Sequence, residues 1–263
     1  MGILNMTPDS FFDGGKYDNE KSYLSQVEKM LKEGASIIDI GGISSRPNAK
    51  LISEEEELSR VLQPIRNIHE HFPEALLSID TFRSKVAEET INHGVSIIND
   101  ISGGQEDMRI FEIAAAYDCP LILMHRKGNF NNMHQTSIQT DILTEVFDYF
   151  VQQTNTARKF GIKDVVIDVG FGFSKTVEQN FSLLKDMKIF EKLEVPILAG
   201  LSRKSMLYKL LGTTAENSLN ATIIANTIAL QNGASILRVH DVREAIECIK
   251  IYNQLNNFIP IRE

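Results

Sequence analysis

Eight short apolar, β-branched runs punctuate the chain: GILN (2–5), SIIDI (36–40), LLSID (76–80), SIIND (96–100), PLILM (120–124), DVVID (164–168), VPILA (195–199) and SILRV (235–239). Continuous apolar runs of this length predict strands buried on both faces of a parallel sheet. Between them the apolar positions change period. Leu58, Val61, Leu62, Ile65 and Ile68 recur every three or four residues, as do Tyr23, Val27, Met30 and Leu31, and Val242, Ile246 and Ile249. That spacing puts each set on one face of a helix. Ser53 stands three residues before Glu56, the spacing of a capping box. The four glutamates 54–57 then fall in a first turn, where the helix dipole favours negative charge, and are predicted to form a solvated helix start. Gly34, Gly94, Gly161 and Gly233 each close a helical stretch shortly before a strand, as C-terminal caps do.

Alternating strands and helices imply a parallel sheet. Eight short strands, each followed by helical sequence, fit a closed (β/α)8 TIM barrel, an α/β fold, better than an open sheet. A doubly wound sheet would usually follow its first strand with G-x-G-x-x-G; here NMTPDSFFDGG follows instead. No Pro-rich hinge, charge block or repeat divides the 263 residues, so one domain over 1–263 is expected, at the usual size of such a barrel.

Charge and cysteine content narrow the partners. Lys and Arg number 27 against 35 Asp and Glu, a net −8, so the surface as a whole repels nucleic acid and anionic membranes. No apolar run approaches the roughly 20 residues that span a bilayer, and the N-terminal MGILNMTPDSFF does not read as a secretory signal. Cys119 and Cys248 show no pair spacing and read as reduced, buried thiols. A cytoplasmic protein acting on small molecules is expected.

A barrel places its active site at the C-terminal ends of its strands. Those ends carry Asn5, Asp39, Asp80, Asn99 with Asp100, Met124 with His125, Asp168, Gly200 with Ser202, and Arg238 with His240, whereas the opposite ends are mostly neutral. The following loops add Asp9, Phe11 and Asp13, then Gly41-Gly42-Ile43-Ser44-Ser45-Arg46-Pro47, then Gly170-Phe171-Gly172-Phe173-Ser174-Lys175, then Ser202-Arg203-Lys204-Ser205. Arg46, Arg203, Lys204, Arg238 and His240 are thereby predicted to crowd one rim, with Asp39, Asp80 and Asp168 inside it. Such a cup suits a substrate with an anionic tail and a flat head rich in hydrogen-bond donors. His69-Glu70-His71 lacks the H-E-x-x-H spacing and reads as a solvated helix end, as does His93 before a capping glycine. His125 and His134 flank a polar loop without a ligand set for zinc. Magnesium held mainly by substrate phosphates needs only one or two protein oxygens.

The segments MGILNMTPDSFFDGG, IIDIGGISSRP, SIDTFR, IIND, DVGFGF, GLSRKS and ILRVHDV, in this order, resemble the dihydropteroate synthase family from Met1 to the last helix. The resemblance implies a Mg2+-dependent, homodimeric (β/α)8 enzyme. It would join p-aminobenzoate to 6-hydroxymethyl-7,8-dihydropterin pyrophosphate, releasing pyrophosphate and forming 7,8-dihydropteroate for folate synthesis. By the same resemblance Asp168 would accept from the guanidine-like pterin edge, while Asp80 and Asn99 read the remaining edge. Lys204 would donate to the pterin carbonyl, Arg238 would stack on the ring, and Met124 and Phe173 would wall the pocket. Asn5 matches a magnesium contact, and Arg238, His240 and Arg46 match groups around the pyrophosphate. Phe11, Ser45, Arg46, Pro47, Phe173 and Ser205 would surround p-aminobenzoate, Ser205 holding its carboxylate. Asp9, Asp13 and Arg46 would complete the site when its loops close, and Asp39 would support the pocket.

Several positions depart from the family pattern. Ile43, Ser45 and Asn48 replace the usual Glu, Thr and Gly of the second loop, Val169 replaces a Pro, and Phe130 another. Two other readings stand beside this one: a pterin-binding domain of a corrinoid-linked methyltransferase, and a non-catalytic pterin-binding module. The DSFFDGG and SSRP loops disfavour the first, and the full set of strand-end residues disfavours the second.

Overall fold

The computed structural model describes residues 1–7, 16–44, 49–133, 138 and 140–256, with the side chains of 16–19 outside the description. All eight predicted strands are present: β1 (Gly2–Asn5), β2 (Ile37–Gly41), β3 (Leu76–Asp80), β4 (Val95–Asp100), β5 (Leu121–Met124), β6 (Val165–Asp168), β7 (Ile197–Ala199) and β8 (Ala234–Leu237). They form one sheet in sequential order, and every adjacent pair is parallel. The sheet closes on itself just past β8. Gly2 bridges Val239 in parallel, with Ile3 N donating to Val239 O and Val239 N to Met1 O, each at 2.9 Å. The (β/α)8 barrel expected from the alternation is the fold observed.

Helices α1 (Lys16–Lys32), α2 (Glu54–His71), α3 (Ser84–Ile91), α4 (Arg109–Ala116), α5 (Ile142–Phe160), α6 (Val177–Asp186), α7 (Ser205–Leu210), α8 (Leu219–Gln231) and α9 (Val242–Leu255) fill the connections, with a 3-10 segment at Met187–Leu193. The predicted stripes face inward. Val27 and Met30 of α1 and Val61, Ile65 and Ile68 of α2 are buried in one core with Ile38, Ile40, Leu77 and Ile79 of the strands. Ser53 caps α2 by accepting from Glu56 N at 3.1 Å, and Gly161 ends α5 in the left-handed region at φ 86°. Thr176 and Gln179 make a reciprocal capping box on α6 that the sequence reading passed over.

One expectation changes. Glu57 is not solvated: it is fully buried, 2.6 Å from Arg83 and accepting from the Thr81 hydroxyl at 2.7 Å. The helix start is therefore exposed on one side and tied to the barrel mouth on the other. Cys119 and Cys248 are buried and free, as expected, and burial pushes the Cys119 thiol up to about 11. No described helix is long and apolar enough to cross a membrane.

Candidate active site

Polar side chains of the strand ends meet inside the C-terminal mouth. Asp39 of β2 is fully buried and accepts from Ser78 Oγ of β3 at 2.6 Å and from Asn99 Nδ2 of β4 at 3.1 Å. Arg238, the residue after β8, crosses the mouth to reach it. Its Nε donates to Asp39 Oδ2 at 2.6 Å, and its Nη2 donates to Asp80 Oδ2 at 2.5 Å. Two carboxylates thus share one guanidinium, whose Nη1 is left over from these two contacts. The Asp39 and Asp80 carboxylates hold the Arg238 guanidinium more firmly protonated than usual, outweighing the opposing effect of its burial. Burial pushes the Asp80 carboxyl above its ordinary range, against the pull of Arg238.

Across the mouth, Asp168 ends β6, buried, with Gly170 N donating to its Oδ1 at 2.8 Å. Burial pushes its carboxyl up, opposed by that hydrogen bond and by the charges of Lys204, Arg238 and Lys175. Lys204 precedes α7, and its ammonium lies 4.2 Å from the centroid of the Phe173 ring. Burial lowers this ammonium to about 8 while Asp168 pulls it the other way. The two groups feel each other's charge, yet no N–O approach within 4.0 Å joins them among the described residues. A gap is left between an acceptor and a donor.

Phe173 and Met124 belong to an apolar cluster with Phe82, Ile101, Phe130 and Met133, and Ile43 packs on it. Two of the departures from the family pattern, Ile43 and Phe130, thus join one wall; Phe130 stands 5.7 Å from the Phe82 ring. The loop carrying Phe130 is pinned by Glu106, which accepts from Phe130 N at 2.8 Å and from the buried Arg126 at 2.5 Å.

The predicted cationic rim is weaker than its charges suggest. Arg203, at φ 57°, turns onto Asp241 with contacts of 3.2 and 2.7 Å and so is already paired. His240 is part-buried beside Ser202, its Nδ1 2.9 Å from Ser202 Oγ, while its own backbone N donates to the same oxygen at 3.2 Å. With Ser202 Oγ as the donor in this pair the ring proton sits on Nε2, and with Nδ1 as the donor it sits on Nδ1. Burial, with Arg203 and Arg238 nearby, lowers His240 to about 4, so the ring is neutral at pH 7. Within the cup, Asp39, Asp80 and Asp168 face Lys175, Lys204 and Arg238, a formal balance of charge. Sequence reasoning noted Lys175 and Ser202 in their loops but gave them no part.

Asn5 sits at the mouth end of β1, paired in register with Gly41, and Ser205 opens α7; both are part-buried. Asp9, Phe11, Asp13, Ser45, Arg46 and Pro47 lie outside the described residues, as does His134.

A closed parallel barrel with its polar side chains gathered at one mouth, beside an aromatic wall, has the build of a (β/α)8 enzyme acting on a small molecule. The family described as pterin binding enzyme matches residues 1–240. Among curated relatives, the dihydropteroate synthase of Haemophilus influenzae is 39% identical, over 98% of this chain and 94% of its own. Among solved structures, the dihydropteroate synthase of Clostridium difficile, determined with pteroic acid, superposes with a TM-score of 0.91 at 35% identity, over 97% of this chain and 95% of that one. The Xanthomonas albilineans enzyme, determined with 4-aminobenzoic acid, gives 0.90 at 34% identity, over 99% and 93%. The chain belongs to the dihydropteroate synthase family.

Proposed function

We propose that this chain condenses 6-hydroxymethyl-7,8-dihydropterin pyrophosphate with p-aminobenzoate, and that the gap between Asp168 and Lys204 receives the pterin ring. That gap is the observation that carries the reading. A pterin offers a guanidine-like edge, which a carboxylate accepts in paired hydrogen bonds, and a carbonyl on the same ring, which an ammonium can reach. Phe173 under the Lys204 ammonium supplies an apolar face for the ring's plane. Asp80 and Asn99 would read the remaining edge, Met124 would close the wall, and Ser205 would meet the benzoate carboxylate.

The chemistry needs little acid–base machinery. An aromatic amine is neutral at pH 7, so its lone pair needs no base to free it. The difficult event is departure of pyrophosphate from the methylene carbon, which leaves positive charge spread over the electron-rich dihydropterin. Asp80, Asp39 and Asp168 are the carboxylates near that charge, favouring a dissociative, SN1-like path. Neutral His240, in the tautomer with its proton on Nε2, would donate to the departing phosphate, and Arg238 would do so from Nη1, which neither Asp39 nor Asp80 engages. Magnesium, when bound, would neutralise the diphosphate's charge. Asn5 fits such an ion through one neutral oxygen, the phosphates supplying other ligands; among the described residues no group of three or more His, Cys, Asp or Glu offers a cage.

A homodimer in the cytoplasm is part of the proposal. Ile224 and Ile228 of α8 and Ile251 and Leu255 of α9 are exposed on two helices that pack side by side, so α8 carries apolar side chains on its outer as well as its buried side, which is expected of a covered helix. Free thiols at Cys119 and Cys248 suit a reducing compartment.

A coupled assay of pyrophosphate release tests the reaction. Release should require both substrates, and Asp168→Asn or Lys204→Met should weaken pterin binding by at least about tenfold, the scale of one lost charged hydrogen bond. Release without p-aminobenzoate, or unchanged pterin affinity in either variant, would reject the assignment.

A further inference from the structure

We infer that Lys175 is a positioning residue: its buried ammonium clamps three backbone carbonyls and thereby sets both halves of the pterin-gripping gap. The inference rests on the reading of that gap as the pterin site. Lys175 Nζ donates to Gly170 O at 2.8 Å, Phe173 O at 3.0 Å and His125 O at 3.2 Å. Three acceptors match the three protons of an ammonium, and a neutral amine could serve only two of them. Each carbonyl belongs to a different part of the site. Gly170 is the residue whose N–H holds Asp168 Oδ1. Phe173 is the residue whose ring lies under the Lys204 ammonium. His125 follows Met124, which shares the apolar wall with Phe173.

The geometry around the clamp is tight. At φ +69° a Cβ on Gly170 would come within 1.9 Å of the His125 carbonyl oxygen, so the ends of β5 and β6 approach to backbone contact there. Two carbonyl oxygens converging without a cation would repel each other, and Lys175 relieves that repulsion. Ser174, at φ 57°, fastens the same turn from the other side, its Oγ accepting from Lys127 N at 3.0 Å and sharing its one proton between Lys127 O at 2.7 Å and Met133 O at 2.8 Å. Burial holds the Lys175 ammonium well below its ordinary value, opposed by the attraction of Asp168. Desolvation thus disfavours the charged form here, and the three carbonyl acceptors around Nζ are what favour it, a role a merely space-filling side chain would not fill.

The test uses the full-length protein with 6-hydroxymethylpterin as the probe, by titration calorimetry, beside far-ultraviolet dichroism and thermal melting. Lys175→Met keeps most of the stem and removes the donors; Lys175→Ala leaves room for a small amine. We expect Lys175→Met to stay folded and to bind the pterin at least tenfold more weakly than wild type. Ethylammonium, with three donors, should restore binding to Lys175→Ala in a saturable manner, whereas tetramethylammonium, with the same charge and no donor, should not. Wild-type affinity in folded Lys175→Met overturns the inference, and so does a loss in Lys175→Ala that ethylammonium leaves untouched. If wild type itself fails to bind the pterin, the reading of the gap falls, and the two failures are thereby told apart.

Discussion

At the scale of single residues, His125 links burial to pH. Its ring is buried against Tyr149, with centroids 4.8 Å apart, and Nδ1 has no hydrogen-bond partner among the described residues. Burial, with Lys175 and Lys127 nearby, lowers it to about 2. The unfolded chain takes up this proton near pH 6.5 and the folded one does not, so His125 contributes stability in full above 6.5 and loses it as the pH falls towards 2. By pH 4 the loss amounts to about 3 kcal/mol. His125→Phe, which keeps an aromatic ring, should therefore lose less melting temperature than wild type between pH 7 and 4. Parallel melting curves across that range would show that His125 is not the titrating group. Much at this scale was legible beforehand: a barrel's strand ends are known once its strands are, so Asp39, Asp80, Asn99, Asp168 and Arg238 could be named as mouth residues. Their partners could not. Glu57 is buried because Arg83 folds onto it, Arg203 is neutralised by Asp241 from a neighbouring loop, and three carbonyls surround Lys175. Such pairings depend on where distant segments land, which periodicity does not encode.

Among elements, turns at the two ends of the barrel carry different constraints. Gly161 ends α5 at φ +86° with open space where a Cβ would point, whereas Gly170 follows β6 at φ +69° against the His125 carbonyl. Alanine at the first pays only the left-handed backbone penalty, about 1–2 kcal/mol. Alanine at the second adds a clash between neighbouring strand ends and shifts the residue that holds Asp168. Urea midpoints should show Gly170→Ala as clearly the more destabilising, and only that variant should lose pterin affinity. Equal midpoints would mean that β5 and β6 separate easily at their mouth ends. Helix caps at bottom turns were readable from glycine spacing alone; the close approach at Gly170 was not, because a glycine beside a phosphate or a ligand looks the same in sequence.

For the whole molecule, the outer face of α8 and α9 makes the boldest demand. If the proposed dimer forms there, Ile224→Lys with Ile251→Lys should convert it to a monomer in sedimentation experiments, with little change in melting of the isolated subunit, since both side chains are more than half exposed. A wild-type protein that sediments as a monomer at micromolar concentration would dispose of that interface. Fold class was the easiest property to read, because eight apolar runs and intervening helical stripes admit few arrangements; the seam of the barrel was invisible, since Val239 meets β1 through backbone alone. That seam has a further consequence. Arg238 reaches Asp39 across 199 positions and Asp80 across 158, so a growing chain still on the ribosome cannot assemble its pocket until almost its final helix is being made. A chain stopped upstream of Arg238 leaves Asp39 and Asp80 adjoining without the guanidinium they share.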